Sequence, residues 1–218
     1  MPVFFHLEIL YNPICGLGGK VGKYGQKCSR NQSYERNRYT DEPRTDGSGK
    51  SSIDTGIGFF DHMLEGFAKH GFFDLEVAIK GDLHVDGHHT VEDAGIVLGT
   101  AIREAVGDKK GIRRYGYFIL PMDDALALCA VDLCGRSFLN FECNFPNEMV
   151  GSLDTSLVKE FFYAVSYSAA MNIHIKMLNG ENSHHMIEAI FKAFAKALDM
   201  AVSTDDRIAD VLSTKGSL

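Results

Sequence analysis

His88-His89-Thr90-Val91-Glu92-Asp93 returns near the other end of the chain as His184-His185-Met186-Ile187-Glu188-Ala189. Each copy opens an apolar-periodic segment, which predicts two helices that begin with the same His-His-x-x-Glu pattern. On a helix the glutamate lies one turn beyond both histidines, so imidazole and carboxylate can face one ion. Adjacent helical positions diverge by about 100°, so the two histidines of a pair should serve different ions. A single copy would read as a solvated helix start whose charges merely complement the dipole. Two copies read as ligand sets.

Working outward from these copies, the same order of elements precedes each. In the first half, Asp46-Gly47-Ser48-Gly49 is turn chemistry, and Gly58 to Leu64 leads into a helix with apolar Met63, Leu64, Phe67 and Ala68. His70-Gly71 is expected to close it, with Gly71 as the left-handed cap. Leu75 to Ile79 alternates as a strand, and the loop Gly81 to Gly87 delivers a helix with Val91, Gly95, Leu98, Ile102 and Val106 at core spacing, stopping at Gly107. In the second half, Tyr115 to Leu120 and Ala125 to Leu133 read as strands and Phe138 to Phe145 as a returning strand. Val158 to Met171 reads as a helix and Ile173 to Met177 as a strand. A loop from Gly180 to Ser183 then leads to a helix with Ile187, Ile190, Phe191, Phe194 and Leu198 on one face. Helix, strand, loop and His-His-x-x-Glu helix in each half imply duplication with pseudo-two-fold symmetry. The expected fold class is α+β, two sheets packed with helices, with residues 46–218 forming one domain of two similar halves, about 46–111 and 112–218.

Composition narrows the function. The 218 residues are 45% hydrophobic, enough for a substantial core. A net charge of -7 argues against nucleic acid or a membrane surface as partner, because either needs a concentrated basic face. No segment reaches the roughly 18 to 20 apolar residues of a membrane span, and the Val3-Phe4-Phe5 run, broken by His6 and Glu8, makes a poor signal peptide. The five cysteines, Cys15, Cys28, Cys129, Cys134 and Cys143, match neither a disulfide framework nor a Cys-x-x-Cys site, and are expected to be reduced thiols in a cytoplasmic protein. Gly16-Leu17-Gly18-Gly19-Lys20 has the wrong spacing for a phosphate loop.

Of nine histidines, six (His62, His88, His89, His174, His184, His185) lie in or beside the repeated units. Imidazoles with carboxylates and no cysteine suit a borderline divalent cation such as Mn2+, Fe2+, Co2+ or Zn2+. His174, between Ile173 and Ile175, is equally compatible with a half-buried core histidine; His6 and His84 are read as non-ligands. Arg114, Arg136 and the terminal Ser213-Thr214-Lys215-Gly216 offer cations, hydroxyls and amides suited to an anion such as phosphate.

Thr55-Gly56-Ile57-Gly58-Phe59-Phe60-Asp61-His62-Met63-Leu64 is the first of several family motifs. Gly81-Asp82-Leu83-His84 running into His88-His89-Thr90-Val91-Glu92-Asp93, Arg114-Tyr115-Gly116, Pro121-Met122-Asp123, His184-His185 and Ser213-Thr214-Lys215-Gly216 complete the set. Together they closely resemble the imidazoleglycerol-phosphate dehydratases of histidine biosynthesis, from Asp46 to Leu218. The resemblance implies a fold like domain 2 of ribosomal protein S5, and dehydration of imidazole glycerol phosphate to imidazole acetol phosphate with two Mn2+ ions per site. It also implies a 24-subunit particle with active sites between subunits. By the same resemblance, His62, His88, His89, Glu92, Glu160, His184, His185 and Glu188 are metal ligands, and His174 is not. Glu92 and Glu188 are the carboxylates given a catalytic role. The expected substrate-binding residues are His62, His70, His88, Glu92 and His184, with Arg114, Arg136, Ser213, Thr214 and Lys215 at phosphate-binding positions. The carbon-bound proton to be lost is not acidic, so two cations on the imidazole would act as an electron sink, and a carboxylate must move the proton.

Residues 1–45 depart from that pattern. The family begins with a strand carrying a Lys/Asn-Glu-Thr element whose glutamate serves as acid/base, and none is written here. Asn31 to Thr45 is polar and aperiodic, which predicts loop or disorder. Back-translated with free codon choice, Lys23 to Thr45 reads in the next frame as N-MARNAAEISHTKETDIRMNLEL and joins Asp46-Gly47, which restores Lys-Glu-Thr. The segment is therefore expected to be frameshifted, by one missing base near codon 45, or disordered, and the chain as written to bind metal with little turnover. Two other classes compete with the dehydratase: a non-catalytic metal-binding assembly protein, and a metal-dependent hydrolase with Glu92 or Glu188 as general base.

Overall fold

The same unit of strand, helix, strand and helix is built twice. In the first half β2 (Ser51–Asp54), α1 (Gly58–Gly71), β3 (Asp74–Lys80) and α2 (His88–Val106) follow one another. The second half opens on a hairpin, β4 (Tyr115–Met122) and β5 (Ala125–Asp132). It then repeats the unit as β6 (Phe138–Glu142), α3 (Ser156–Ala169), β9 (Asn172–Asn179) and α4 (Ser183–Val202), with a short hairpin β7 (Met149–Val150) and β8 (Leu153–Asp154) before α3. This computed structural model describes residues 4–10 and 47–216, the first of these ranges by its backbone alone. Residues 11–46, including the segment read as frameshifted, lie outside the described residues.

The sheets follow from the repeat. β2 pairs parallel with β3, and β6 pairs parallel with β9. Each parallel pair is joined through a helix, as a parallel connection requires. The reading of Phe138 to Phe145 as a strand returning on β5 is corrected: the strand ends at Glu142, and β9 inserts between β5 and β6 to give the order β4-β5-β9-β6. The long α3 crossover allows this, because it brings β9 back parallel to β6 and antiparallel to β5.

The first sheet has the order β1-β3-β2, where β1 is Phe4–Leu10. This strand falls inside residues 1–45, the segment expected to be frameshifted or disordered. The alternation of Phe5, Leu7 and Ile9 with His6 and Glu8 gives the period of two that a strand needs. β1 takes beside β3 the place that β5 takes beside β9, but it runs parallel where β5 runs antiparallel. Among the described residues, the first half has no counterpart of the β4-β5 hairpin.

α1 packs on α4 and α2 on α3, so each helix of one half meets a helix of the other. Phe60, Phe67, Phe161, Phe162, Phe191 and Phe194 are fully buried between them. Phe60 meets Phe191 edge-on at 6.4 Å and Phe67 stacks on Phe194 at 5.5 Å. Such pairs add about 0.5–1.5 kcal/mol each beyond burial and fix α1 against α4.

The cap of α1 differs from the expectation. Phe72, not Gly71, takes the left-handed conformation, with φ 57°, and α1 runs through Gly71. Gly71 is needed for space: a Cβ there would sit 2.4 Å from the Phe73 ring and 3.3 Å from the Ala195 carbonyl oxygen. Close packing of α1 on α4 selects the glycine, and Phe72 bears the unusual dihedral.

Candidate metal centre

Packing of α1 on α4 brings His62 to the start of α4. His62 Nε2 lies 4.0 Å from Glu188 Oε1, and His184 Nε2 lies 3.4 Å from Glu188 Oε2. One ligand atom from each of His62, His184 and Glu188 lies within 4.8 Å of the others. Two imidazoles and a carboxylate, without thiolate, form a donor set that fits a borderline divalent cation. His184 and Glu188 are one turn apart, as the sequence spacing requires, and Phe59 packs on the His184 ring at 4.8 Å.

Glu188 is 8% exposed. Burial pushes its carboxyl up, but the Lys192 ammonium 2.6 Å from Oε1, with His62 and His184, outweighs it, so the net shift is downward. The carboxyl stays ionised. Lys192 was not singled out from the sequence, although Glu188-x-x-x-Lys192 is the spacing of a helical ion pair.

The start of α4 is held from two sides. Asn182 accepts the His184 backbone N–H at 2.9 Å. Asp124, in the β4-β5 turn, accepts the backbone N–H groups of Glu181 and Asn182 through Oδ2 at 2.6 and 3.0 Å. Asp124 Oδ1 lies 2.6 Å from Nδ1 of His185. The Glu181 N–H, the His185 ring and the Asn182 N–H hold the Asp124 carboxyl well below the usual carboxylate range, and the same hydrogen bond raises the His185 imidazole. The histidines of the pair therefore diverge: their rings are 5.9 Å apart at 79°, His184 toward His62 and Glu188, His185 toward Asp124.

The first copy is arranged alike. His88 Nε2 lies 3.8 Å from Glu92 Oε2, whereas His89 Nδ1 meets Asp82 Oδ2 at 2.9 Å, and the two rings stand at 85°. Glu160 holds on α3 the place His62 holds on α1, the fifth residue of each helix. Among the described residues, however, His88, Glu92 and Glu160 are not drawn together as His62, His184 and Glu188 are. His174 is exposed on β9, with its ring 5.4 Å from Phe138, which corrects the reading of a half-buried core residue. It belongs to no ligand group among the described residues.

The anion-site residues fall only partly together. Arg114 is bidentate on Asp132, Nε to Oδ1 at 2.7 Å and Nη2 to Oδ2 at 3.1 Å, and its Nη1 donates to the Leu212 carbonyl at 2.7 Å. This tether brings Ser213, Thr214 and Lys215 near it, while three of its five N–H donors are engaged within the chain. The Lys215 backbone N–H donates to Ser213 Oγ at 3.2 Å. Arg136 is exposed, and among the described residues no hydrogen bond or ion pair joins its side chain to that group.

His70, at the end of α1, is lowered from 6.5 by burial first and then by the ammonium groups of Lys192 and Lys196. It is therefore neutral at pH 7. A depressed histidine gives stability that is present above 6.5 and fades as the pH falls through its lower folded-state value. A histidine NMR titration should place its midpoint below 6.5, and a midpoint at or above that value would contradict the role of the lysines.

Asp82 appears in the sequence only within the Gly81–His84 motif, without a role of its own, and Asp124 has no motif at all. The His185–Asp124 contact spans 61 positions, and no local pattern announces it.

The sequence model described as imidazoleglycerol-phosphate dehydratase matches residues 55–198. The imidazoleglycerol-phosphate dehydratase of Lachnoclostridium phytofermentans is 62% identical over 177 residues, which cover 81% of this chain and 90% of that protein. That of Acetivibrio thermocellus is 60% identical over 173 residues, 79% of this chain and 89% of that protein. Among solved structures, the imidazoleglycerol-phosphate dehydratase of Staphylococcus aureus aligns with a TM-score of 0.69 at 44% identity, over 74% of this chain and 92% of that one. The enzyme of Pyrococcus furiosus, solved in complex with (S)-C348, aligns with a TM-score of 0.67 at 37% identity, over 78% of this chain and 91% of that one.

Proposed function

Because this chain belongs to the imidazoleglycerol-phosphate dehydratase family, we propose that it removes water from imidazole glycerol phosphate to form imidazole acetol phosphate in histidine biosynthesis, with Mn2+ as cofactor, two ions per site. The observation that carries this reading is the convergence of His62, His184 and Glu188. A divalent cation bound there would supply Lewis acidity, stabilising charge as a carbon-bound proton leaves. His62, His184 and Glu188 hold one ion, and His88, His89, Glu92, Glu160 and His185 supply the remaining donors. The single chain completes one trio and leaves His88 and Glu92 as a pair, which supports a site finished between subunits of a 24-subunit particle. Lys192 keeps Glu188 ionised. Neutral His70 contacts substrate without adding charge. Arg114 uses its two remaining donors, with Arg136, Ser213, Thr214 and Lys215, to bind phosphate. The burial-raised thiols of Cys129 and Cys143, the latter pushed up to about 12, suit a reduced cytoplasmic protein.

Glu92 and Glu188 are the carboxylates available to move protons, but both are committed as ligands. The parallel β1 stands where the second half has an antiparallel hairpin strand, and this supports a chain that binds metal and turns over poorly as written. One comparison tests both parts. The chain as written and a version with residues 1–45 replaced by the shifted-frame segment are each assayed, with and without chelator, for Mn2+-dependent loss of water from imidazole glycerol phosphate. The replaced chain should be active, lose activity with chelator and regain it with Mn2+. The written chain should take up Mn2+ and run about 100- to 10,000-fold slower, the usual worth of an acid/base group. Equal rates would sink the impairment, and release of inorganic phosphate would replace the lyase by a hydrolase.

A further inference from the structure

We propose that Asp82 and Asp124 are positioning residues: each takes Nδ1 of the second histidine of a pair, His89 or His185, and so presents Nε2 as a metal donor. The inference rests on the metal-binding reading above. An ionised carboxylate only accepts, so a ring with Nδ1 at 2.9 Å from Asp82 or 2.6 Å from Asp124 carries its proton there and leaves the Nε2 lone pair outward. The first histidine of each pair instead faces the glutamate four residues on, His88 to Glu92 and His184 to Glu188. Each pair thus divides its work, one ring set by its own helix and the other by a carboxylate from outside it.

The two carboxylates come from positions that the repeat does not make equivalent. Asp82 lies seven residues before His89, in the loop between β3 and α2, and Asp124 lies in the β4-β5 turn, 61 residues before His185. Duplication alone would not produce the same contact from different places, so the contact itself is what both halves require. Asp82 is 8% exposed, and its Oδ1 has no hydrogen-bond partner among the described residues. A carboxylate buried that far is costly unless paired, and its Oδ2 pairs with His89 Nδ1. Asp124 is anchored by two backbone N–H groups of the loop that enters α4, so the ring it holds is fixed relative to Glu188. On the donor side of His185, exposed Asp123 Oδ2 lies 3.5 Å from Nε2, adding a carboxylate next to the same position.

The test uses the full chain and two readouts other than activity: Mn2+ titration followed by the free-ion EPR signal, and 15N-histidine spectra of the metal-free protein above the imidazole titration range. Asp82→Ala and Asp124→Ala should each weaken Mn2+ binding by about 10- to 100-fold, with the number of ions unchanged. Each should also shift the targeted histidine from the Nδ1–H tautomer to a mixture. Asp124→Asn, whose side-chain oxygen accepts the same proton, should recover most of the affinity. Asp124 also holds backbone, so if Asp124→Ala fails to fold, Asp82→Ala decides. Affinities within about threefold of the parent, well short of that loss, with unchanged tautomers would overturn the inference. A parent chain that takes up no Mn2+ would overturn the metal reading instead. The metal-free tautomers then decide ring fixation alone, unchanged ones counting against it.

Discussion

Glu188→Gln lowers the Mn2+ affinity of the purified chain by more than about 100-fold, with dehydration falling in proportion. The bound follows from a comparison of roles: an outer partner that only orients a ligand is worth about 10- to 100-fold, and Glu188 is itself one of the three converging groups. The substitution has a second consequence, because Lys192 Nζ lies 2.6 Å from Glu188 Oε1 and is 16% exposed at its side chain. Once the carboxylate is neutral, that ammonium has no charge partner among the described residues and repels a cation at the same place. Glu188→Gln combined with Lys192→Met should therefore bind Mn2+ better than Glu188→Gln alone, a coupling that a double-mutant cycle reads directly. Retention of helix content by circular dichroism separates this from unfolding. Parent-like affinity in the single variant would remove the trio from consideration.

Gly116→Ala should be the most damaging small substitution in the sheet. A Cβ there would fall 1.8 Å from the Ala197 carbonyl oxygen, 2.8 Å from its carbon and 2.9 Å from the Ala201 nitrogen. All three are backbone atoms of α4, which cannot move aside as a side-chain tip can, so the helix must retreat from β4. Overpacking of this kind costs about 1–3 kcal/mol or more, which for a chain of this size lowers Tm by roughly 2–10 °C. Because α4 carries His184 and Glu188, Mn2+ affinity should fall in the same variant. A thermal melt within about 1 °C of the parent, less than that cost implies, would show that β4 and α4 are not pressed together as described.

The two helices with paired histidines were legible because their signal is local: a period near 3.6 and a ligand spacing of four survive any tertiary arrangement. β3, β5 and β9 were legible for the same reason, by alternation. The order of strands was not. Phe138 to Phe145 alternates well enough to read as a hairpin return, and only the α3 crossover, which inserts β9, makes it an outer strand parallel to its neighbour. Gly71 shows a subtler limit, since a glycine after a helix reads as a cap, yet the packing against Ala195 and Phe73 is what requires it. β1 has a period of two in Phe5 to Ile9, but no local signal says that it pairs with β3.

Sequence alone determined the family motifs, the duplication and the identity of the ligand-type residues, because each is written in spacing and residue chemistry within one turn or one strand. Tertiary structure decided which of those residues meet. His62 joins His184 and Glu188 because aromatic packing sets α1 on α4, whereas Glu160, its counterpart on α3, does not reach His88 and Glu92 within the chain. It decided, too, that Arg114 is held by Asp132 and Leu212, and that His185 is oriented from a turn 61 residues away. Contacts between distant segments depend on how whole helices dock, and no local period carries that information.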